Sequence, residues 1–173
     1  MEIIRLIALI LSLSLILISC SPSPKKLLSY QEESFRAIIS WQIDPLKISA
    51  ILTHHTPDTI SLEFTSPPAL SGITVKKCGE ETVVILDDIE FKSDDVCRFA
   101  EVFKIFQISA ALKKSSVESL SGIKLNRIEL FDNIKNEIFV LYLYKDSSIP
   151  RKILAPIFGK EITFDIISFE FIS

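Results

Sequence analysis

From Phe35 onward, apolar and polar residues alternate with a period of two, stretch after stretch. Phe35, Ala37, Ile39, Trp41 and Ile43 are interleaved with Arg36, Ile38, Ser40 and Gln42. Successive side chains of a strand point to opposite faces, so this pattern predicts a strand with one strongly apolar face. Asp44-Pro45 ends it, and Leu46, Ile48, Ala50 and Leu52 alternate again. After the turn signal Thr56-Pro57-Asp58 come Ile60, Leu62 and Phe64, and Pro67-Pro68 breaks the run. Ile73 and Val75 form a short strand, Cys78–Glu81 a turn and Thr82–Leu86 another strand, with Asp87-Asp88 as a corner before Ile89–Phe91.

The period then changes. Val96, Phe99, Ala100, Phe103, Phe106 and Ala110 fall at helical spacing. Ser93 or Asp94 suits the N-cap, and Lys113 and Lys114 suit the C-terminal end. The spacing predicts one long helix over Val96–Ala110, whose apolar stripe needs a sheet face to cover. Ser115–Ser121 reads as a polar connector with a short turn of helix.

Alternation resumes at Ile123–Leu130. Residues Ile138–Leu143 are apolar on both faces, which predicts a central strand covered on both sides. Ile153–Ile157 is a short strand. In the last stretch Ile162, Phe164 and Ile166 share one phase, whereas Ile167, Phe169 and Phe171 continue one residue out of step. The extra residue predicts a bulge near Ile166-Ile167 and a bent strand.

The amino terminus is of another kind. Arg5 precedes the uncharged apolar run Leu6–Ile18, which ends in Leu17-Ile18-Ser19-Cys20. A helix of that length spans about 20 Å, short of the roughly 30 Å hydrocarbon core, and fits the core of a signal peptide. Leu-x-Ser-Cys resembles the lipobox of bacterial lipoproteins, in which the cysteine thiol receives a diacylglycerol and the signal is cut before it. Cys20 carries that resemblance. A plain secretory signal with a chance cysteine is the alternative. Ser21–Lys26 then reads as a polar, proline-stiffened tether. The organisation expected is a signal peptide over 1–19, a lipidated cysteine and tether over 20–34, and one domain over 35–173. That domain is long enough for a proper core and too short to be two.

Composition excludes several classes. Lys and Arg number 19 against 22 Asp and Glu. This near-neutral balance suits no nucleic-acid partner. Four glycines and twelve phenylalanines exclude disorder, and three cysteines are too few for a disulfide scaffold.

The order of elements resembles the LolA/LolB-like lipoprotein-carrier superfamily, in particular extracytoplasmic lipoproteins of Gram-positive bacteria that share its fold. The passage Ile60–Pro67 followed by Leu70-Ser71-Gly72-Ile73-Thr74-Val75 is similar to the group's strand, Ser-Pro, Leu-x-Gly, strand sequence. Leu141–Asp146 leading into Pro150–Ile153 is similar to its strand, acidic turn and proline before the last strands. The resemblance implies an α+β fold: a curved antiparallel half-barrel with one long helix packed on its concave face, behind a lipoprotein signal peptide. In characterised members that face is apolar and holds acyl chains. No basic residue here matches a family ligand site. The resemblance therefore implies acyl-carrier architecture and not lipoprotein transfer.

Chemistry is sparse. His54 and His55 are adjacent, so strand geometry sends them to opposite faces, and no Cys-x-x-Cys or acidic cluster completes a metal site. They read as a solvated strand end. Asp87-Asp88 and Asp94-Asp95 lack the spacing of a calcium loop and read as turn and cap residues. Cys78 and Cys97, in an exported domain, form either a disulfide or two separate thiols. No nucleophile–base–orienter set is visible, so no enzyme, cofactor or metal is expected. Trp41, Phe64, Phe99, Phe103 and Phe106 either line an apolar ligand cavity or form closed core.

Two functional readings follow. One is a membrane-anchored extracytoplasmic lipoprotein that binds acyl chains or another apolar ligand without catalysis. The other is a closed-core interaction or sensor protein with an envelope protein as partner. Both place the chain on the outer face of the cell membrane, or at the outer membrane in a host that has one.

Overall fold

The computed structural model describes residues 28–79, 81–92, 102–103, 105–106, 108, 110–134, 136–145, 147–157 and 159–173. Among these described residues eleven strands form one sheet. They are β1 (Phe35–Ile43), β2 (Leu46–His55), β3 (Thr59–Ser66), β4 (Thr74–Cys78), β5 (Glu81–Leu86), β6 (Ile89–Phe91), β7 (Ala111–Leu120), β8 (Ile123–Asp132), β9 (Glu137–Tyr144), β10 (Pro150–Ile157) and β11 (Lys160–Phe171). The order across the sheet is β6-β5-β4-β3-β2-β1-β11-β10-β9-β8-β7, and every neighbouring pair is antiparallel.

The chain thus meanders outward from β1 to β6. It crosses to the opposite edge and meanders back from β7 to β11, which closes against β1. The turns are those the sequence supports. Asp87 and Asp88 both have positive φ (49° and 65°) in a two-residue turn joining Leu86 to Ile89. Ser121 and Gly122 do the same (50° and 81°) between Leu120 and Ile123.

The sheet is open and curved, and bulges account for part of that curvature. Ile38 pairs with Ser168 but Ile39 with Ile166, so Ile167 is the extra residue expected near this point. Single extra residues also fall at Thr65 in β3, Lys113 in β7 and Arg151 in β10. Each bends its strand and sharpens the twist.

Among the described residues the long helix expected over Val96–Ala110 is absent, and this corrects the α+β fold class: the described chain is nearly all antiparallel sheet. Val102-Phe103 and Ile105-Phe106 lie in short 3-10 turns, and Ile108 and Ala110 are irregular. Lys113 to Leu120, expected as helix end and connector, is most of strand β7. The reason lies in the side chains. Val102, Phe103, Ile105, Phe106 and Ile108 are all buried. They surround the backbone instead of lying on one stripe, and three of them are β-branched, which lowers helix propensity.

The core lies on the concave side. Its wall is built from Phe35, Ala37, Ile39 and Trp41 of β1, Ala50 and Leu52 of β2, Leu62 and Phe64 of β3, Leu141 and Leu143 of β9, and Ile162, Phe164 and Ile166 of β11. The segment containing Val102–Ile108 packs into the same cluster, as does Tyr30, which a 3-10 turn over Ser29–Glu32 carries into the core ahead of β1. Strand β9 is covered on one face by this core. On the other, Val140 is buried, Tyr142 half-buried and Ile138 exposed, so the expected double covering is partial.

Candidate functional site

The concave face is the candidate site. Among the described residues only Ser40 and His54 are buried and polar, and Ser40 lies on the other phase of β1. His54 is therefore the one buried polar side chain on the concave wall among the described residues. Its ring lies 5.1 Å from that of Phe35, and its Nδ1 is 3.0 Å from the Glu33 carbonyl. A carbonyl only accepts, so Nδ1 donates and the tautomer is fixed. His54 is thus a satisfied core residue, whereas His55 is exposed as a strand end should be.

Trp41, Phe64, Phe103 and Phe106 are each 4% exposed or less. Their ring contacts fall in two groups. Trp41 meets Phe64 (ring centroids 6.1 Å) and Phe164 (5.4 Å) toward one end of β1. Phe106 meets Phe35 (5.6 Å) at the other end. Phe35 and Trp41 stand about 20 Å apart along the strand. Around Phe35 the aromatic contacts continue through Phe169, stacked at 4.7 Å, with Tyr30 and Phe171 edge-on to Phe169. Tyr30, Phe164 and Phe169 were not singled out from the sequence. For the two phenylalanines the signal was available in the strand phase of β11; Tyr30 was hidden in a stretch read as tether. Phe99, Cys97 and Cys20 lie outside the described residues.

Three grooves have walls of described residues. One of about 290 Å³ is lined by Ala111, Leu112, Lys113 and Phe131. One of about 350 Å³ lies beside it against Asn133 and Ile134. The third, about 230 Å³, sits at the β11 bulge among Tyr144, Ile149, Pro150 and Ile167. Trp41, Phe64, Phe103 and Phe106 line none of these three.

The convex side carries ion pairs. Arg127 of β8 is paired with Glu129 and lies 3.4 Å from Glu118 of β7. The Arg127 guanidinium holds the Glu129 carboxyl below the usual carboxylate range, and Glu129, followed by Tyr142, raises Arg127 further. Lys152 lies 3.5 Å from Asp165. Cys78, at the exposed end of β4, accepts a hydrogen bond from Thr59 Oγ1 at 3.6 Å. Among the described residues no three His, Cys, Asp or Glu side chains gather as metal ligands would.

No family model and no curated protein matches the sequence. Solved structures do. An uncharacterised conserved protein from Thermus thermophilus has a TM-score of 0.57 at 12% identity, covering 85% of this chain and 84% of that one. MucB, in the Pseudomonas aeruginosa MucA/MucB complex, has a TM-score of 0.50 at 12% identity, covering 86% of this chain and 55% of the other. This chain therefore spans about half the length of that neighbour. A LolA superfamily protein from Nitrosomonas europaea is matched with a TM-score of 0.46 at 8% identity, over 88% of this chain and 95% of that one. At these identities the likeness is one of fold, shared with the Thermus thermophilus protein and with about half of MucB.

Proposed function

We propose that this chain is a non-catalytic binding module, moored by lipid on Cys20 to the outer face of the cell membrane, that takes an acyl chain or another apolar ligand against its concave sheet face. The observation that carries this reading is the nature of that face. It is apolar across most of the sheet, and the described residues that cover it are a short irregular segment around Val102–Ile108. A cover held by five apolar side chains competes with a ligand of the same chemistry. Exchange of one for the other costs little net apolar area, at about 25 cal/mol per Å². The Leu-x-Ser-Cys ending of the leader supports the mooring, and two acyl chains would make it stable.

A second reading is favoured by the burial of Trp41, Phe64, Phe103 and Phe106. In it the core stays closed and the ligand is a protein of the envelope. MucB, which has this fold, was solved in complex with MucA.

Native mass spectrometry of the protein purified from its own membrane, with no lipid added, tests the first reading against the second. A stoichiometric apolar adduct beyond the anchor supports ligand carriage. A bare chain, or one that keeps a polypeptide partner, removes it.

A further inference from the structure

Strand β7 ends the sheet on the side away from β6, with no strand beyond it among the described residues. It is ten residues long and seven of them are exposed, whereas the opposite edge strand, β6, has three residues. An open edge of this length offers a row of backbone donors and acceptors for pairing. Lysines at an edge normally discourage such pairing, but here Lys114 has an acidic counterpart in Glu118 on the same strand. Lys114, Ser116 and Glu118 share the convex face, opposite Glu129, Arg127 and Leu125 of β8. Ser115 and Val117 share the concave face, and Val117 is 60% exposed. Run antiparallel to itself about Ser116, this stretch is its own complement. Lys114 falls opposite Glu118 twice, Ser115 opposite Val117 twice, and Ser116 opposite Ser116. All of these pairs keep their faces.

We propose that β7 pairs antiparallel with β7 of a second copy of this chain, in a register centred on Ser116, so that one sheet runs through both copies. The arrangement is isologous and closes on itself. On the convex face the second copy's Lys114 joins Glu118, which already lies 3.4 Å from Arg127. The bulge at Lys113 limits the register on one side. So short a seam is weaker than a permanent interface, and the pairing is strongest where copies are concentrated on a membrane.

The test is oxidative cross-linking of the full chain in its own membrane, in a Cys78→Ser, Cys97→Ser background. Ser116→Cys places two thiols on directly opposed residues, about 4.5–5.5 Å apart at Cα, within disulfide reach. Ser119→Cys has Lys113 opposite and no thiol to meet. A product of twice the chain mass from Ser116→Cys and not from Ser119→Cys supports the pairing. Equal products, no product, or a product joined to a different polypeptide overturns it. Within the Ser116→Cys chain, Lys114→Glu sets like charges opposite each other at both ends of the seam and lowers the yield about tenfold. Adding Glu118→Lys restores it; a yield that stays low overturns the register. The outcome does not depend on whether a lipid adduct is found, so this inference and the ligand reading fail separately.

Discussion

Arg151 Nη1 lies 2.5 Å from the carbonyl oxygen of Ile166 and donates to it. The two residues sit at neighbouring irregularities. Arg151 is the extra residue of β10, and Ile166 precedes the extra residue of β11. A bulge interrupts the ladder where it occurs, and a charged donor from the next strand satisfies a carbonyl at the interruption. The bend of the sheet is thus held by a side chain as well as by the backbone.

Removing that donor tests how much the bend depends on it. Arg151→Ala leaves a half-buried carbonyl without its charged partner, and a cost of about 1–3 kcal/mol is expected. Lys lacks the planar fork and recovers only part of it. Urea unfolding monitored by circular dichroism measures both variants. An Arg151→Ala midpoint equal to that of the parent would show that the contact contributes nothing.

The same bulge makes adjacent isoleucines behave differently. Ile166 is 3% exposed and faces the core, whereas Ile167 is 61% exposed and has no partner on β1. Ile166→Ala is expected to cost about 2–5 kcal/mol, as truncations of buried aliphatics do. Ile167→Ala should stay within about 0.5 kcal/mol. Denaturation curves for the pair read the phase of the strand directly, and similar losses at both positions would place the bulge elsewhere.

That bulge was legible in the sequence because the apolar phase slips by one residue between Ile166 and Phe169. So were β1, β2, β3 and β11, each of which buries one face and must show it every second residue. β7 was not legible by that signal. As an edge strand it buries little, and Lys113, Lys114, Ser116 and Glu118 display no apolar face. Only Ser121-Gly122 between Leu120 and Ile123 marked its hairpin, a dipeptide suited to positive φ. The helix was misread because Phe99, Phe103 and Phe106 fit one stripe while Val102, Ile105 and Ile108 were left out of the pattern, and burial of all five described positions settles it against a single stripe. Trp41, Phe64 and Phe106 were grouped by residue type. Sequence carries no distance along a strand between clusters, so the separation of the Trp41 and Phe35 ends emerged only with the fold.

Tyr30 provides a pH test of the docked amino-terminal turn. Burial pushes its phenol well above the ordinary tyrosine range, only partly offset by the Gln31 side-chain amide, which donates to the hydroxyl at 3.3 Å. A group whose pKa is raised by folding contributes stability that is complete below its unfolded value. That contribution is lost as pH rises from there through the folded value. For a tyrosine the loss begins above about pH 10. Tyr30→Phe removes this dependence. The variant should therefore unfold at higher pH than the parent in an alkaline titration followed by circular dichroism, with little change at neutral pH. A parental alkaline midpoint in Tyr30→Phe would mean that the ring titrates in water and is not docked.

The mooring separates from the fold by substitution at one position. If Cys20 carries the lipid, Cys20→Ala leaves no thiol for the acyl group and removes the residue at which the leader is cut. The parent, extracted from membranes, should have an intact mass that starts at residue 20 and exceeds the polypeptide by a diacylglyceryl group, with or without an amide-linked chain. Cys20→Ala should lack that mass increment and retain the leader. Among the described residues the first to pack on the core are Leu28 and Tyr30, so the substitution at position 20 should leave the thermal unfolding midpoint of the domain unchanged. An unmodified residue 20 in the parent would remove the lipid anchor while leaving the curved antiparallel sheet and the β7 seam to stand on their own observations.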